Sequence, residues 1–157
     1  MLYIVLILIV IIAYYASLVR AYQLTTLAIG RLLIGKSGAD KGTGVQDAIT
    51  PKVQTFRNII LYILLIMLFV LVTFVYTWYY GIISIVVCFL IVTPIISAVF
   101  RIDPAKPKFI LSIKRDMMNR HDKYQRTNDV IRAKAIQELI DKLEEIPSEL
   151  IYKEANK

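Results

Sequence analysis

Residues 59–100 read IILYILLIMLFVLVTFVYTWYYGIISIVVCFLIVTPIISAVF, and these 42 residues contain no Asp, Glu, Lys, Arg or His. A single straight helix of that length would run ~63 Å, about twice the ~30 Å hydrocarbon core of a bilayer. The stretch must therefore turn, and its one glycine, Gly81, lies near its middle. The pattern predicts a membrane hairpin: a helix over 59–80, a tight turn at Tyr79-Tyr80-Gly81, and a helix over 82–100. Pro94 is expected to kink the second arm, because it removes one backbone hydrogen bond and crowds the preceding turn. Thr93 stands beside it, with a hydroxyl suited to a freed carbonyl.

Outside the hairpin, a second uncharged run opens the chain. Residues 1–19, MLYIVLILIVIIAYYASLV, reach ~28 Å as a helix, enough to cross a membrane. They lack the basic start and the small-x-small site of a cleaved leader, so a retained span is expected. RAYQLTTLAIGRLLI, residues 20–34, continues without a breaker to Gly30. Arg20 and Arg31 are eleven residues apart and share one helical face. This segment is expected either to extend the first helix past the bilayer edge or to lie in the interface, with Arg20 at the boundary. Residues 35–50, GKSGADKGTGVQDAIT, read as a glycine-rich loop, and Thr50-Pro51 as the start of the helix that enters the hairpin.

The composition agrees with a membrane class. Of 157 residues, 57% are hydrophobic, and the mean hydropathy of +0.61 is too high for an ordinary soluble domain. The net charge of +7 lies wholly outside the apolar runs. Residues 20–57 carry +4, residues 101–134 carry +6, and residues 135–157 carry −3. Positive loops stay on the cytoplasmic side. The N-terminus and the hairpin tip are therefore expected outside, the middle loop and the C-terminal tail inside. Tyr76, Trp78, Tyr79 and Tyr80 would anchor the tip at the lipid–water interface. Arg20, Arg31, Arg101, Lys106 and Lys108 would mark the opposite interface, with anionic lipid head groups as a further expected contact. Nucleic-acid binding is not expected, because no nucleic-acid motif accompanies the charge.

After Arg101 the sequence IDPAKPK, with two prolines, reads as an extended connector. Residues 108–126 are basic, with a short apolar patch at Phe109, Ile110, Leu111 and Ile113. Thr127-Asn128-Asp129 forms a helix-capping cluster, and Pro147 a stop. Between them Val130, Ala133, Ile136, Ile140 and Leu143 recur at helical spacing, which predicts an amphipathic helix over roughly 128–146. An isolated helix of this size is marginal in water. The stripe is therefore expected to bind a partner subunit or another copy of the chain. The acidic flank Glu138, Asp141, Glu144 and Glu145 argues against an anionic bilayer for that face.

Motifs for chemistry are sparse. Gly30-Arg31-Leu32-Leu33-Ile34-Gly35-Lys36-Ser37 matches the G-x-x-x-x-G-K-S phosphate-loop pattern, but that motif works only between a strand and a helix. It reads instead as a helix end beside a flexible loop. His121-Asp122 reads as a solvated surface pair. Ser17, Thr73, Thr77, Ser84, Cys88, Thr93 and Ser97 have no ionisable partner within the apolar runs, so no activated nucleophile is expected. They read as helix-contact positions. On ideal helices Ser84 and Cys88 share a face, with Thr93 and Ser97 about 180° away, so no continuous polar stripe is expected. No enzyme activity, cofactor or metal is expected.

The reading is an all-α integral membrane protein with three spans. Its parts are residues 1–34, 35–50, 51–100 and 101–157: first span with extension, cytoplasmic loop, hairpin, and connector with cytoplasmic helix. The expected function is that of a non-catalytic subunit or scaffold in a larger membrane complex. The alternative is a homo-oligomeric pore, since the layout resembles that of three-span phage holins.

Overall fold

The structure, a computed structural model, describes residues 2–37 and 52–156. The described residues form α-helices α1 (Leu2–Ser37), α2 (Lys52–Val75), α3 (Trp78–Val87), α4 (Thr93–Val99), α5 (Pro107–Arg126), α6 (Val130–Glu144) and α7 (Ser148–Ala155), with a π-helical turn, Cys88–Val92, joining α3 to α4. Three stretches are long and apolar enough to cross a membrane: Tyr3–Ile34, Thr55–Val75 and Trp78–Val99. The chain divides into two compact units. An apolar unit comprises Met1–Arg20 and Val53–Asp103; a tail unit comprises Ala21–Lys52 and Pro104–Lys157. Helix α1 contributes to both and runs to Ser37, so residues 35–37 continue it where a loop was expected. The rest of the loop, with Thr50 and Pro51, lies outside the described residues.

In the apolar unit, Val5, Ile12 and Ala13 of α1 are buried with Leu68 and Val72 of α2 and with Cys88. The Tyr15 hydroxyl donates to the Arg57 carbonyl at 3.2 Å, and Tyr14 meets Phe100 edge-on at 5.3 Å between ring centres. Most large apolar side chains of this unit nevertheless point outward, including Ile63, Ile66, Met67, Phe74, Leu90 and Ile95.

The hairpin turns at Tyr76-Thr77, not at Tyr79-Tyr80-Gly81. Tyr76 N–H donates to the Val72 carbonyl and closes α2. Thr77 is extended, with φ −154° and ψ 162°, a conformation that any residue adopts. The turn therefore needs no glycine. Gly81 is buried inside α3, where its missing side chain admits a neighbour: a Cβ there would come within 2.7 Å of Phe69 Cδ2 and 2.8 Å of Thr73 Oγ1.

Pro94 acts through register. The π turn precedes it, and both the N–H and the hydroxyl of Thr93 bond to the carbonyl of Cys88, five residues back. That extra residue in the turn brings Thr93 round to the Cys88 side, and both are buried. An ideal helix would have placed them on different faces. The third stretch ends at a Schellman motif. Arg101 is left-handed at φ 47°, its N–H donates to Ala98, and Ile102 N–H donates to Ser97 at 2.9 Å.

In the tail unit, α5 begins one residue after Lys106, with Pro107 in its first turn, where a proline costs no hydrogen bond. The connector is accordingly short, and residues 107–126 form a helix that a basic connector reading misses. α5 ends in a second Schellman motif, with Asn128 at φ 56°; Asn128 N–H donates to Gln125 and Asp129 N–H to Tyr124. Asp129 then caps α6, accepting from Arg132 N–H at 3.2 Å. Helices α5 and α6 pack together. Phe109, Ile113 and Met117 are buried on α5, and Ala133, Ile136, Leu139, Ile140 and Leu143 on α6. The second half of α1 buries Tyr22, Thr25, Ile29 and Leu33 in this unit.

Candidate functional site

Ser17, Ser84, Cys88 and Ser97 of the apolar unit are engaged with the chain's own backbone. Ser17 donates to the Ala13 carbonyl at 2.8 Å and to the Thr93 carbonyl at 3.2 Å, joining α1 to α4. The Cys88 thiol points to the Ile9 carbonyl at 3.7 Å. Ser84 donates to the Gly81 carbonyl, and Ser97 to the Ile102 carbonyl. These are contacts within and between helices. Thr73 Oγ1 is the one buried side-chain polar atom without a hydrogen bond among the described residues, and it sits where Gly81 comes close. A shallow groove nearby, lined by Tyr62, Leu65, Ile66, Phe69 and Ile85, is apolar.

The aromatic cluster lies at the hairpin turn and is exposed. Tyr79 and Tyr80 have ring centres 4.5 Å apart, Tyr76 and Tyr80 5.9 Å, and Trp78 and Tyr79 6.2 Å. Arg20, Arg31, Arg101 and Lys108 are exposed and Lys106 is half-buried. Arg31 meets Glu154 of α7 at 3.6 Å, and the Lys108 ammonium lies over the Phe109 ring at 5.0 Å.

The tail stripe requires correction as a partner surface. Ala133, Ile136, Ile140 and Leu143 are buried within the chain, whereas Val130 is 72% exposed. The helix does bury its apolar face, as its marginal stability in isolation demands, but the covering surface comes from inside the tail unit. The sequence reading left residues 107–126 without a helix, and it is this helix, α5, that packs on α6. The Tyr22 hydroxyl donates to Asp116 of α5 at 2.9 Å, and Ala105 N–H donates to Thr25 Oγ1 at 2.8 Å. Lys114 of α5 pairs with Glu144 of α6. What remains outward on α6 includes Lys134, Glu138 and Asp141.

The G-x-x-x-x-G-K-S residues lie within α1, so their backbone has the conformation of a continuous helix and not of a phosphate cradle. His121 is half-buried, with Nδ1 3.5 Å from Asp122 and Nε2 3.3 Å from Gln125. No three His, Cys, Asp or Glu residues come together as a metal-binding group among the described residues.

One surface was missed. On α5, Lys108, Leu111, Arg115, Met118, Asp122 and Arg126 recur at spacings of three and four and are all exposed, on the side away from Phe109, Ile113 and Met117. The spacing was visible in the sequence, but it carries no meaning until 107–126 is known to be one helix. No known family, curated protein or solved structure matches this chain.

Proposed function

We propose that the chain is an integral membrane protein with three spans, acting as a non-catalytic subunit or scaffold of a larger membrane complex. The observation that carries this reading is where the polar groups go. In the apolar unit the hydroxyls of Ser17, Ser84, Thr93 and Ser97 all bond to its own backbone. Its outward surface is dominated by large aliphatic and aromatic side chains. That surface suits lipid tails and partner helices, and the stretch 59–100 within it carries no Asp, Glu, Lys, Arg or His for transport or chemistry. On the positive-inside rule, this reading puts the N-terminus and hairpin tip outside and the tail unit inside. The tail unit, folded upon the extension of α1, serves as the part that a partner meets at the inner face. Docking then uses its outward charged faces, since the Ile136–Ile140–Leu143 stripe is taken up in its own core.

The test is affinity purification of the tagged full chain from its native membrane in a mild detergent. Other membrane subunits in fixed proportion are expected. Recovery of the chain alone would contradict the reading, and a ring of copies around a wetted axis would establish the pore instead.

A further inference from the structure

We propose that the tail units of two copies of this chain bind each other, the outer row of α5 in one lying antiparallel against the outer row of α6 in the next. This rests on the membrane reading above, since three spans hold the tails of all copies on one side of one membrane. It goes beyond that reading in naming a second copy as the partner of the charged faces. On α5 the exposed row is Lys108, Leu111, Arg115, Met118 and Asp122. On α6 it is Ile131, Lys134, Glu138 and Asp141, continued by the exposed Glu145, whose backbone is still in the right-handed helical region. Both rows step by three and four, the spacing by which two helices lie along each other.

The order of the charges names the cover. From Lys108 onward, the α5 row is positive at Lys108 and Arg115 and negative at Asp122. From Glu145 backward, the α6 row is negative at Glu145, Asp141 and Glu138 and positive at Lys134. Laid antiparallel with Arg115 opposite Glu138, equal steps along the two rows set Lys108 opposite Glu145. The same steps set Asp122 opposite Ile131, within a turn of Lys134. Laid parallel on the same pair, Asp122 would meet Glu145, two like charges. One chain cannot join its own two rows. Each lies opposite the residues its helix buries: Phe109, Ile113 and Met117 on α5, and Ile136, Ile140 and Leu143 on α6. Nor are these charges used within the chain, since Arg115, Lys134, Glu138 and Glu145 make no ion pair among the described residues. Helices that pack together across a short turn, as α5 and α6 do, run antiparallel. Copies set side by side with their helices aligned therefore bring α5 of one against α6 of the next in the sense that the charges favour. Leu111, Met118 and Ile131, 64%, 43% and 84% exposed, lie within the rows and give the contact apolar area. Because the two surfaces differ, the contact is head-to-tail and repeats from copy to copy.

The test uses the full recombinant chain in a mild detergent with no other subunit present, so its outcome is separate from whether other proteins join the complex. Leu111 lies between the two cations of its row, and Asp141 between the two acids that oppose them. In a Cys88→Ser background, Leu111→Cys with Asp141→Cys leaves those four charges in place. On mild oxidation it should form disulfides between copies, seen as a ladder of dimers and higher species, and Leu111→Cys alone should not. Two charge-reversed chains are then compared by sedimentation: Lys108→Glu with Arg115→Glu, and Glu138→Lys with Glu145→Lys. Each alone should self-associate roughly twenty-fold more weakly, at about two-fold for each attraction lost and each repulsion gained. Mixing the two should restore association, because each row then meets a complementary one, and recovery also shows that both tails are folded. The cysteine pair tests the contact even where a reversal unfolds the tail. The proposal is overturned if the cysteine pair gives no disulfide between copies, if either reversed chain associates as well as the native one, or if a mixture of folded chains stays apart. Efficient disulfides from Leu111→Cys alone would set α5 against α5 and contradict it as well.

Discussion

Gly81 poses a contest between two effects of known size. Inside a helix, Gly→Ala gains ~1 kcal/mol of helix propensity. Overpacking a close contact costs about 1–3 kcal/mol. The added methyl would lie 2.7 Å from Phe69 Cδ2 and 2.8 Å from Thr73 Oγ1, closer than carbon atoms pack, so overpacking should win. Gly81→Ala is expected to destabilise the hairpin by about 1 kcal/mol, measured by denaturant unfolding in detergent, and Gly81→Leu by more. Phe69→Leu in the same chain should recover part of the loss, because neighbouring sites couple. A neutral or stabilising Gly81→Ala would mean that the close approach to Phe69 is absent. Thr93 poses a smaller question. Thr93→Val keeps the shape and deletes the hydroxyl bond to Cys88. A loss of roughly 0.6–1.7 kcal/mol is expected from interhelical and buried polar bonds in membrane proteins, read by the same unfolding assay.

Among the elements, helix ends were legible where they depend on local chemistry. Asp129 caps α6 through its own side chain, and Arg101 ends the third apolar stretch where the charge appears. The π turn was not legible: Thr93-Pro94 signals a perturbed helix but does not say whether the chain kinks or takes up an extra residue. Gly81 misled because glycine serves both turns and close packing, and sequence does not separate the two. Helix α5 was hidden by Pro104 and Pro107, since Pro107 opens a helix as readily as it ends one. Its end makes a sharp prediction. Asn128 is left-handed at φ 56°, which a β-branched residue resists. Asn128→Val should cost ~1–2 kcal/mol, and Asn128→Gly should be neutral or slightly stabilising, both read as shifts in tail unfolding. Ile140 is 4% exposed in the core of the tail unit. An unpaired carboxylate buried there costs several kcal/mol. Ile140→Asp should therefore expose the tail to limited proteolysis while leaving the chain in the membrane fraction. A tail that stays protected would show that α6 does not rest on this core.

On the scale of the whole molecule, the charge map and the apolar runs carried most of the fold, because burying ~20 uncharged residues has few outcomes other than a span. What they did not carry was the destination of each apolar face. A stripe at helical spacing announces that it will be covered, and Ile136, Ile140 and Leu143 look the same whether a partner or the chain itself covers them. The same limit applies to residues 21–34, which became part of the tail unit, with Tyr22, Thr25, Ile29 and Leu33 buried. The claim on which both functional proposals depend is that the chain crosses the membrane three times, with the hairpin tip and the tail unit on opposite sides. Single-cysteine labelling tests it directly, in a Cys88→Ser background with an impermeant maleimide. Thr77→Cys, at the exposed turn, should label from outside in intact cells; Lys134→Cys, on the exposed side of α6, should label only after permeabilisation. Labelling of both from the same side would contradict the third span, and labelling of Lys134→Cys alone from outside would reverse the orientation.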